Sequence, residues 1–246
     1  MDNVEKEKRL FILGLITEAR SHVHHNRKVD ALECYDKILV KYSNEISALY
    51  GKGMVHYQFS EFPLALEYFD QVLKIDSNEI DSLYAKGSIL SRVGQLNEAI
   101  DLFDKVSEIN PKMDLALIAK GYILLDLDKN EEALDCFTKA EKLDGKMELL
   151  AGKGHAFRKL NKQNEAKNYY TMALKHDPYD PEALMGLGLL SFEEKKLKEA
   201  QGYLYKSVVQ DEENLEAWKV LYEIFKVTNQ NDKEQIAKNK IAELEK

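Results

Sequence analysis

The chain has 246 residues, of which 44% are hydrophobic and 32% charged, a balance that predicts a folded protein rather than a disordered one. Its formal net charge of -8 argues against nucleic acid as the main partner, because binding phosphate requires a basic surface. Only 4 Pro and 12 Gly occur, so long uninterrupted helices are permitted.

The first residues lack the pattern of a secretory signal peptide. Acidic residues stand among the bases, and the apolar run at 10–16 is short and soon followed by Glu18. No stretch approaches the ~20 apolar residues that a membrane span needs. The two cysteines, Cys34 and Cys136, agree with a reducing compartment. We therefore expect a cytoplasmic protein that does not associate with membranes.

A Lys-Gly pair recurs at intervals of 33 or 34 residues, at 52–53, 86–87, 120–121 and 153–154. An Ala lies downstream of each pair and an aromatic residue four positions further, at Ala65 and Phe69, Ala99 and Phe103, Ala133 and Phe137, and Ala166 and Tyr170. The pattern extends backwards to Ala31 and Tyr35 and forwards to Gly188, Ala200 and Leu204. A period near 34 residues predicts a solenoid of helix pairs.

Residues 80–113 illustrate the physical logic of one unit. Apolar residues at helical spacing predict the first helix. Gly94 then predicts a chain reversal, because a positive φ costs little at glycine. We expect Asn97 to cap the second helix. Small residues in both helices allow a close approach, and Phe103 is expected to fill the gap to the next unit.

These residues resemble the tetratricopeptide repeat, whose pattern is a bulky residue, a Leu-Gly pair, a later Ala, an aromatic residue and often a Pro. The bulky residue stands at Leu49, Leu83, Leu117, Leu150, Leu184 and Trp218. The Leu of the Leu-Gly pair is kept only at Leu187, and the terminal Pro at Pro111 and Pro178. Lys-Gly repeats of this kind are similar to those of tetratricopeptide proteins abundant in archaea and bacteria.

The resemblance implies an all-α fold, a right-handed α-α superhelical solenoid of about seven helix pairs in a single domain over 1–246. The predicted repeats are 12–45, 46–79, 80–113, 114–146, 147–180, 181–214 and 215–246. Residues 1–11 are expected to lengthen the first helix or to fray. In the last repeat Glu234 and Lys238 replace the Ala and the aromatic residue, and a turn three residues longer would bring Ala237 into register.

No catalytic or cofactor-binding pattern emerges. The Lys-Gly pair sits in the middle of a predicted helix rather than between a strand and a helix, which argues against a phosphate-binding loop. We interpret its Gly as a packing position and its Lys as an edge residue with its head in water. The chain has no nucleophile elbow, and its carboxylates stand at solvated helix positions. We therefore expect no enzyme activity and no cofactor.

The resemblance also implies a binding surface on the concave face, formed by residues one, five and eight places after the bulky residue. The residues carried over, including the adjacent bases Arg92 and Lys159, are Tyr50, Met54, Tyr57, Tyr84, Ser88, Arg92, Ile118, Tyr122, Leu125, His155, Arg158, Lys159, Met185, Leu189 and Phe192. Tyr and Met are common in adaptable recognition surfaces, and the bases could receive carboxylates at the rim. The alternative is that the apolar members pack against each other or against a neighbouring turn.

We therefore predict a non-catalytic scaffold or adaptor that binds a peptide or helix of a protein partner in this groove. A second hypothesis is a structural role through self-association. In that case the apolar strip, or the segment MGLGLLSF at 185–192, buries against another copy and gives a homo-oligomer.

His22 and His25 lie three residues apart, so both could face one metal ion. Zinc sites usually need three or four protein ligands, and no third ligand is evident nearby in the sequence. We therefore interpret the segment as a polar helix end and expect no metal. Cys34 and Cys136 lie on equivalent helices three units apart, and each layer of packed helices advances ~8–10 Å, so no disulfide is expected.

Overall fold

A computed structural model of the chain consists of helices joined by short turns. The structure describes residues 3–144 and 149–245, with the backbone alone at 3 and 144. These residues form fourteen helices and no strand: α1 Asn3–His24, α2 Lys28–Lys41, α3 Ile46–Gln58, α4 Phe62–Ile75, α5 Ile80–Arg92, α6 Leu96–Ile109, α7 Asp114–Asp126, α8 Asn130–Asp144, α9 Leu149–Lys159, α10 Gln163–His176, α11 Pro181–Glu193, α12 Leu197–Gln210, α13 Leu215–Val227 and α14 Asn231–Leu244.

The helices form seven pairs, which confirms the predicted all-α repeat fold. The first helix of a pair begins at the first residue of the predicted repeat in five cases, at Ile46, Ile80, Asp114, Pro181 and Leu215. The extension of the first helix through residues 3–11 is also as predicted. The predicted boundary between the fourth and fifth repeats, at 146 and 147, lies outside the described residues.

Contacts between residues divide the chain into two compact units, Met1–Ala116 and Leu117–Lys246. Consecutive helices pack together from α1 to α6 in the first unit and from α8 to α14 in the second. First helices of consecutive pairs also meet, α1 with α3 in the first unit and α9 with α11 and α11 with α13 in the second. These neighbouring first helices therefore share one face in each unit, called the first-helix face. A single domain over 1–246 stays a prediction.

The recurring aromatic side chain packs between two first helices that carry glycine. Tyr170 is fully buried, and a Cβ added at Gly154 of its own pair would lie 2.5 Å from its Cε1 atom. A Cβ added at Gly186 of the next pair would lie 2.2 Å from its Cζ atom. In the first unit, Tyr35 meets Gly51 of the next pair in the same way. Glycine thus leaves room for the ring, which fills the gap to the next pair as the sequence predicts.

The lysine of the Lys-Gly pair reaches back to an acid on the preceding second helix. Lys52 Nζ donates to Asp36 Oδ1 at 2.7 Å, and Lys153 Nζ donates to Glu141 Oε2 at 2.6 Å. The prediction of a lysine head in water is wrong at Lys153, which is only 3% exposed. Its ammonium group also lies 5.5 Å from the ring centroid of Tyr169, so an ion pair and an aromatic face replace water there.

Each turn within a pair contains one residue with a positive φ, at intervals of 33 or 34 residues. These residues are Asn26, Ser60, Gly94, Asp128, Asn161, Lys195 and Asn229. The reversal predicted at Gly94 is therefore observed, with φ of 81°. The Asn97 cap is wrong: α6 already begins at Leu96, after Gln95, because the helix resumes as soon as the reversal is complete.

The last pair keeps the same turn as the others. Asn229 continues the period of positive φ values, and α14 begins at Asn231, so the longer turn predicted from the sequence is wrong. Ala237 is nevertheless fully buried. It lies three residues after Glu234, and residues three apart share a helix face, so Ala237 takes the packing position one turn later.

Substitution at Gly186 tests the ring-and-glycine packing. The Gly186→Ala variant should lower the free energy of unfolding by about 1–3 kcal/mol, because the added Cβ overlaps the ring of Tyr170. Gly202→Ala is the matched control, since nothing lies within 4 Å of a Cβ added there. It should stabilise the chain by about 0.5–1 kcal/mol through helix propensity. Urea denaturation followed by circular dichroism measures both, and equal effects would refute the packing role.

Substitution at Lys195 tests the positive-φ turn. An L-residue in this region is strained by ~1–2 kcal/mol, whereas glycine is not. Lys195→Gly should therefore raise the free energy of unfolding by about 1 kcal/mol, and Gly94→Ala should lower it by a similar amount. Both changes are read from urea unfolding curves. A destabilised Lys195→Gly chain would contradict this interpretation of the turn.

Candidate functional site

The first unit holds a pocket of about 630 Å³ between its first helices. Its walls come mainly from α1, α3 and the start of α5, with one residue from α2. Two of the predicted binding residues, Tyr50 and Met54, line it. The other lining residues are Ile16, Arg20, Val23, Tyr35, Glu45, Ile46, Ser47, Gly51, Val55, Gln58, Glu79 and Asp81.

Charges of both signs face this pocket. Arg20 comes from α1, whereas Glu79 and Asp81 come from the start of α5. The Glu79 carboxylate caps α5 by accepting a hydrogen bond from the Ser82 backbone N–H at 2.6 Å. Burial raises the pKa of Asp81, and Glu79 adds to this shift. Burial, with the charges of Asp81 and Glu79, raises the pKa of Tyr50 to about 12, so the α5 end of the pocket is acidic.

The other predicted residues of the first unit lie outside the pocket lining. Tyr57 and Tyr84 are half-buried, with ring centroids 6.0 Å from Phe62 and 5.5 Å from Phe103. The Ser88 hydroxyl donates to the carbonyl of Tyr84 on its own helix at 3.0 Å. The exposed Arg92 places its guanidinium group 5.3 Å from the Phe62 ring centroid. This part of the face is therefore aromatic and partly self-packed.

In the second unit the predicted residues are more deeply covered. Leu125, His155 and Leu189 are buried, and Ile118, Tyr122, Arg158, Met185 and Phe192 are half-buried. Met185 and Phe192 pack against the cluster formed by α12, α13 and α14. The amide of Asn214 also donates to the Met185 sulfur at 3.2 Å. These contacts agree with the alternative in which apolar members of the set pack internally.

Two polar contacts occupy the centre of this set. The Tyr122 hydroxyl donates to Glu182 Oε2 at 2.7 Å, and burial raises the pKa of both groups. The Tyr170 hydroxyl lies within hydrogen-bond distance of His155 Nδ1, at 2.9 Å. Glu182 could not be singled out from the sequence, since an acid in the first turn of a helix is common. Two predicted binding positions, Tyr122 and His155, are thus engaged in hydrogen bonds within the unit.

The two predicted rim bases of the second unit have partners within that unit. Arg158 donates from one terminal nitrogen to Glu193 Oε1 at 2.9 Å. Lys159 Nζ donates to the carbonyl of Leu125 and to Asp128 Oδ1, both at 2.7 Å. Lys159 therefore joins the C-terminal end of α7 to its own helix, where a cation is favourable.

The two histidines suggested as a metal pair do not face one site. His25 directs Nδ1 to the carbonyl of Ser21 on its own helix, at 2.7 Å. His22 instead meets Glu18 and Cys34, a combination that the sequence did not suggest because Cys34 belongs to the next helix. Cys34 and Cys136 are both buried, and neither forms a disulfide with another described residue.

None of the described helices is long and apolar enough to cross a membrane.

Two family models match this chain. A model for the N-terminal TPR repeats region of Psidin matches residues 89–245, more than half of the chain, and a tetratricopeptide repeat model matches residues 16–80. No curated protein sequence matches.

Solved structures of similar fold share 16–19% of the sequence in three examples. A tetratricopeptide repeat protein from Parabacteroides merdae has a TM-score of 0.82 and 16% identity over 96% of this chain and 93% of its own. PilF from Pseudomonas aeruginosa has a TM-score of 0.72 and 17% identity, over 88% and 99%. YrrB, described as a TPR protein with an unusual peptide-binding site, has a TM-score of 0.58 and 19% identity, over 76% and 96%.

Acid should weaken the second unit through His155. Burial lowers the pKa of His155 to about 4, and the charges of Arg158 and Lys159 add to the shift. The unfolded chain has the usual histidine pKa of about 6.5. Because the folded state binds the proton more weakly, stability falls as the pH falls from about 6.5 to about 4, by ~3 kcal/mol at most.

In the His155→Gln variant, the part of the acid-induced loss of stability that comes from His155 should be absent, since glutamine does not titrate in this range. Urea denaturation at neutral and acidic pH should therefore show a smaller loss of stability on acidification than in the wild type. His25→Gln, on an exposed side chain, is the control and should follow the wild type. Equal losses in wild type and His155→Gln would contradict the assignment.

Proposed function

The chain belongs to the tetratricopeptide repeat family, and from this we propose that it is a non-catalytic scaffold or adaptor that binds a peptide or helix of a protein partner on the first-helix face of its first unit. Repeats of this family are typically protein-interaction modules without catalytic activity. The likeness to solved tetratricopeptide proteins, one of them described by its peptide-binding site, supports an interaction role.

The single observation that carries the proposal is the pocket of the first unit. Its volume of about 630 Å³ lies within the ~300–1,000 Å³ of typical ligand sites. Ile16, Tyr50 and Met54 supply an apolar floor that can adapt to the shape of a bound side chain. We therefore place the apolar anchor of the bound segment over these three residues.

The charges around the pocket indicate which charged residues the bound partner segment should carry. Glu79 and Asp81 at the α5 end favour a Lys or Arg of the partner next to the apolar anchor. Arg20 at the α1 side favours a carboxylate of the same segment. The net charge of -8 also attracts a basic segment over longer distances. A nucleic acid partner is not proposed, and a cytoplasmic location stays a prediction from the sequence.

In the second unit, the unit's own side chains cover much of the predicted face, so we place binding on the first unit. The predicted positions from Ile118 to Phe192 remain candidates for a secondary contact. Self-association, through the apolar strip or through the segment 185–192, is the other hypothesis. Most of that segment is buried within the unit, and only Met185 and Phe192 are half-buried, so it offers little apolar surface to another copy.

The test uses random peptides displayed on phage and selected on the immobilised full chain. The selected peptides should share an apolar residue beside a Lys or Arg. A labelled consensus peptide then gives a dissociation constant by fluorescence anisotropy. Asp81→Lys should weaken binding about tenfold or more, since an attractive contact worth ~1.4 kcal/mol becomes repulsive.

Asp101→Lys is the matched control, because it makes the same change of charge at an exposed position of α6 outside the pocket. This variant should bind the peptide as the wild type does. Equal weakening in both variants, or peptides with no basic residue, would refute the pocket as the binding site. Light scattering over a range of concentrations separates peptide binding from self-association: a dimer lost in Asp81→Lys would favour the second hypothesis.

A further inference from the structure

Three potential metal ligands of different chemistry converge between α1 and α2. Glu18 and His22 stand four residues apart on α1 and therefore share a face, and Cys34 comes from α2, which packs on α1. Each contributes one ligand atom, and the carboxylate oxygen, imidazole nitrogen and Sγ all lie within 4.8 Å of one another. His22 Nε2 is 3.6 Å from Glu18 Oε1.

We propose that Glu18, His22 and Cys34 form a site for a divalent transition-metal ion, Zn²⁺ by preference, with a fourth position left for water. This donor set of sulfur, nitrogen and oxygen matches the ligands that zinc takes. Calcium and magnesium instead prefer oxygen ligands alone. The site lies outside the pocket proposed for peptide binding, since none of its three ligands lines that pocket.

The three ligand atoms already lie near the separations that zinc requires. Tetrahedral zinc with bonds of ~2.0–2.3 Å places neighbouring ligand atoms ~3.3–3.8 Å apart. The Glu18 side chain is 54% exposed and free to rotate towards the ion, whereas His22 is 16% exposed and Cys34 is buried. The two inner ligands are thus held by packing, and the outer carboxylate closes the site.

Coordination also balances charge and protons. The ion forms bonds to sulfur, nitrogen and oxygen, the Cys34 thiol releases its proton to water, and nothing is oxidised or reduced. One thiolate and one carboxylate then neutralise the two charges of the ion. Burial, with the nearby Glu18 carboxylate, raises the pKa of the Cys34 thiol.

Arg27 is the side chain that competes with this arrangement. Its Nε donates to His22 Nδ1 at 3.1 Å, which leaves the imidazole proton on Nε2, the nitrogen that faces Glu18. For Nε2 to bind the ion, the proton must move to Nδ1 and Arg27 must turn away. Arg27 Nε already lies 3.1 Å from Asp30 Oδ2, which can retain it. Removing Arg27 should therefore strengthen metal binding.

The test is a titration of the full, chelator-stripped chain with Co²⁺ in a non-thiol reductant. One Co²⁺ per chain should give the absorption of tetrahedral cobalt together with a thiolate-to-metal charge-transfer band, and Zn²⁺ should displace it. Cys34→Ser should abolish the charge-transfer band, and Cys136→Ser, at the equivalent place in the second unit, should retain it. His22→Gln should weaken binding at least about tenfold, and His25→Gln should not.

Substitution of the buried Cys34 could disturb folding and so obscure the result. Glu18→Gln avoids this problem, because Glu18 is exposed. Its circular dichroism should match the wild type while its affinity for Co²⁺ falls, and Arg27→Ala should show a higher affinity. The absence of a charge-transfer band in the wild type would overturn the proposal. So would a band that survives in Cys34→Ser, or an affinity unchanged in Glu18→Gln.

Discussion

The structure depends on one packing contact, an aromatic ring held between glycine-bearing helices of two successive pairs. Tyr170 lies so close to Gly154 and Gly186 that neither position has room for a methyl group. The ring cannot be buried by its own pair alone, so each pair needs a neighbour. Rings at Tyr35, Phe69, Phe103, Phe137 and Tyr170 each meet a glycine of their own pair, of the next pair or of both, so contacts of this kind build helix pairs in both units.

This contact also determines which side chains remain for recognition. Glycine and alanine occupy the face of a first helix that meets the ring, and larger residues are turned to the shared first-helix face. In the first unit these residues, with Tyr50 and Met54 among them, leave a pocket with an acidic end. In the second unit the pair Tyr122 and Glu182 and its neighbours fill the corresponding positions. Two units of one repeat pattern thus offer different surfaces.

The period in the sequence predicted the helix pairs and most of their starting residues. It could do so because residues one period apart occupy equivalent packing positions in successive pairs. It could not predict contacts that belong to one repeat alone. Glu182 lies 60 residues from Tyr122, and nothing in a period of 34 links them. The burial of Lys153 and the approach of Cys34 to His22 depend on single neighbours in the same way. The positive φ at Lys195 could not be predicted from the sequence, because lysine is not a residue type that favours a positive φ.

The contacts made by the recurring lysines run towards residues that come earlier in the chain. Lys52 bonds to Asp36 and Lys153 to Glu141, in each case an acid that precedes the lysine in the chain. The ring that each new first helix meets, such as Tyr170 for Gly186, also comes earlier. During synthesis from the N-terminus, a helix pair that follows another within a unit therefore finds its docking partners already made. The repeat is suited to growth by addition at its C-terminal side, with each folded pair serving as the template for the next.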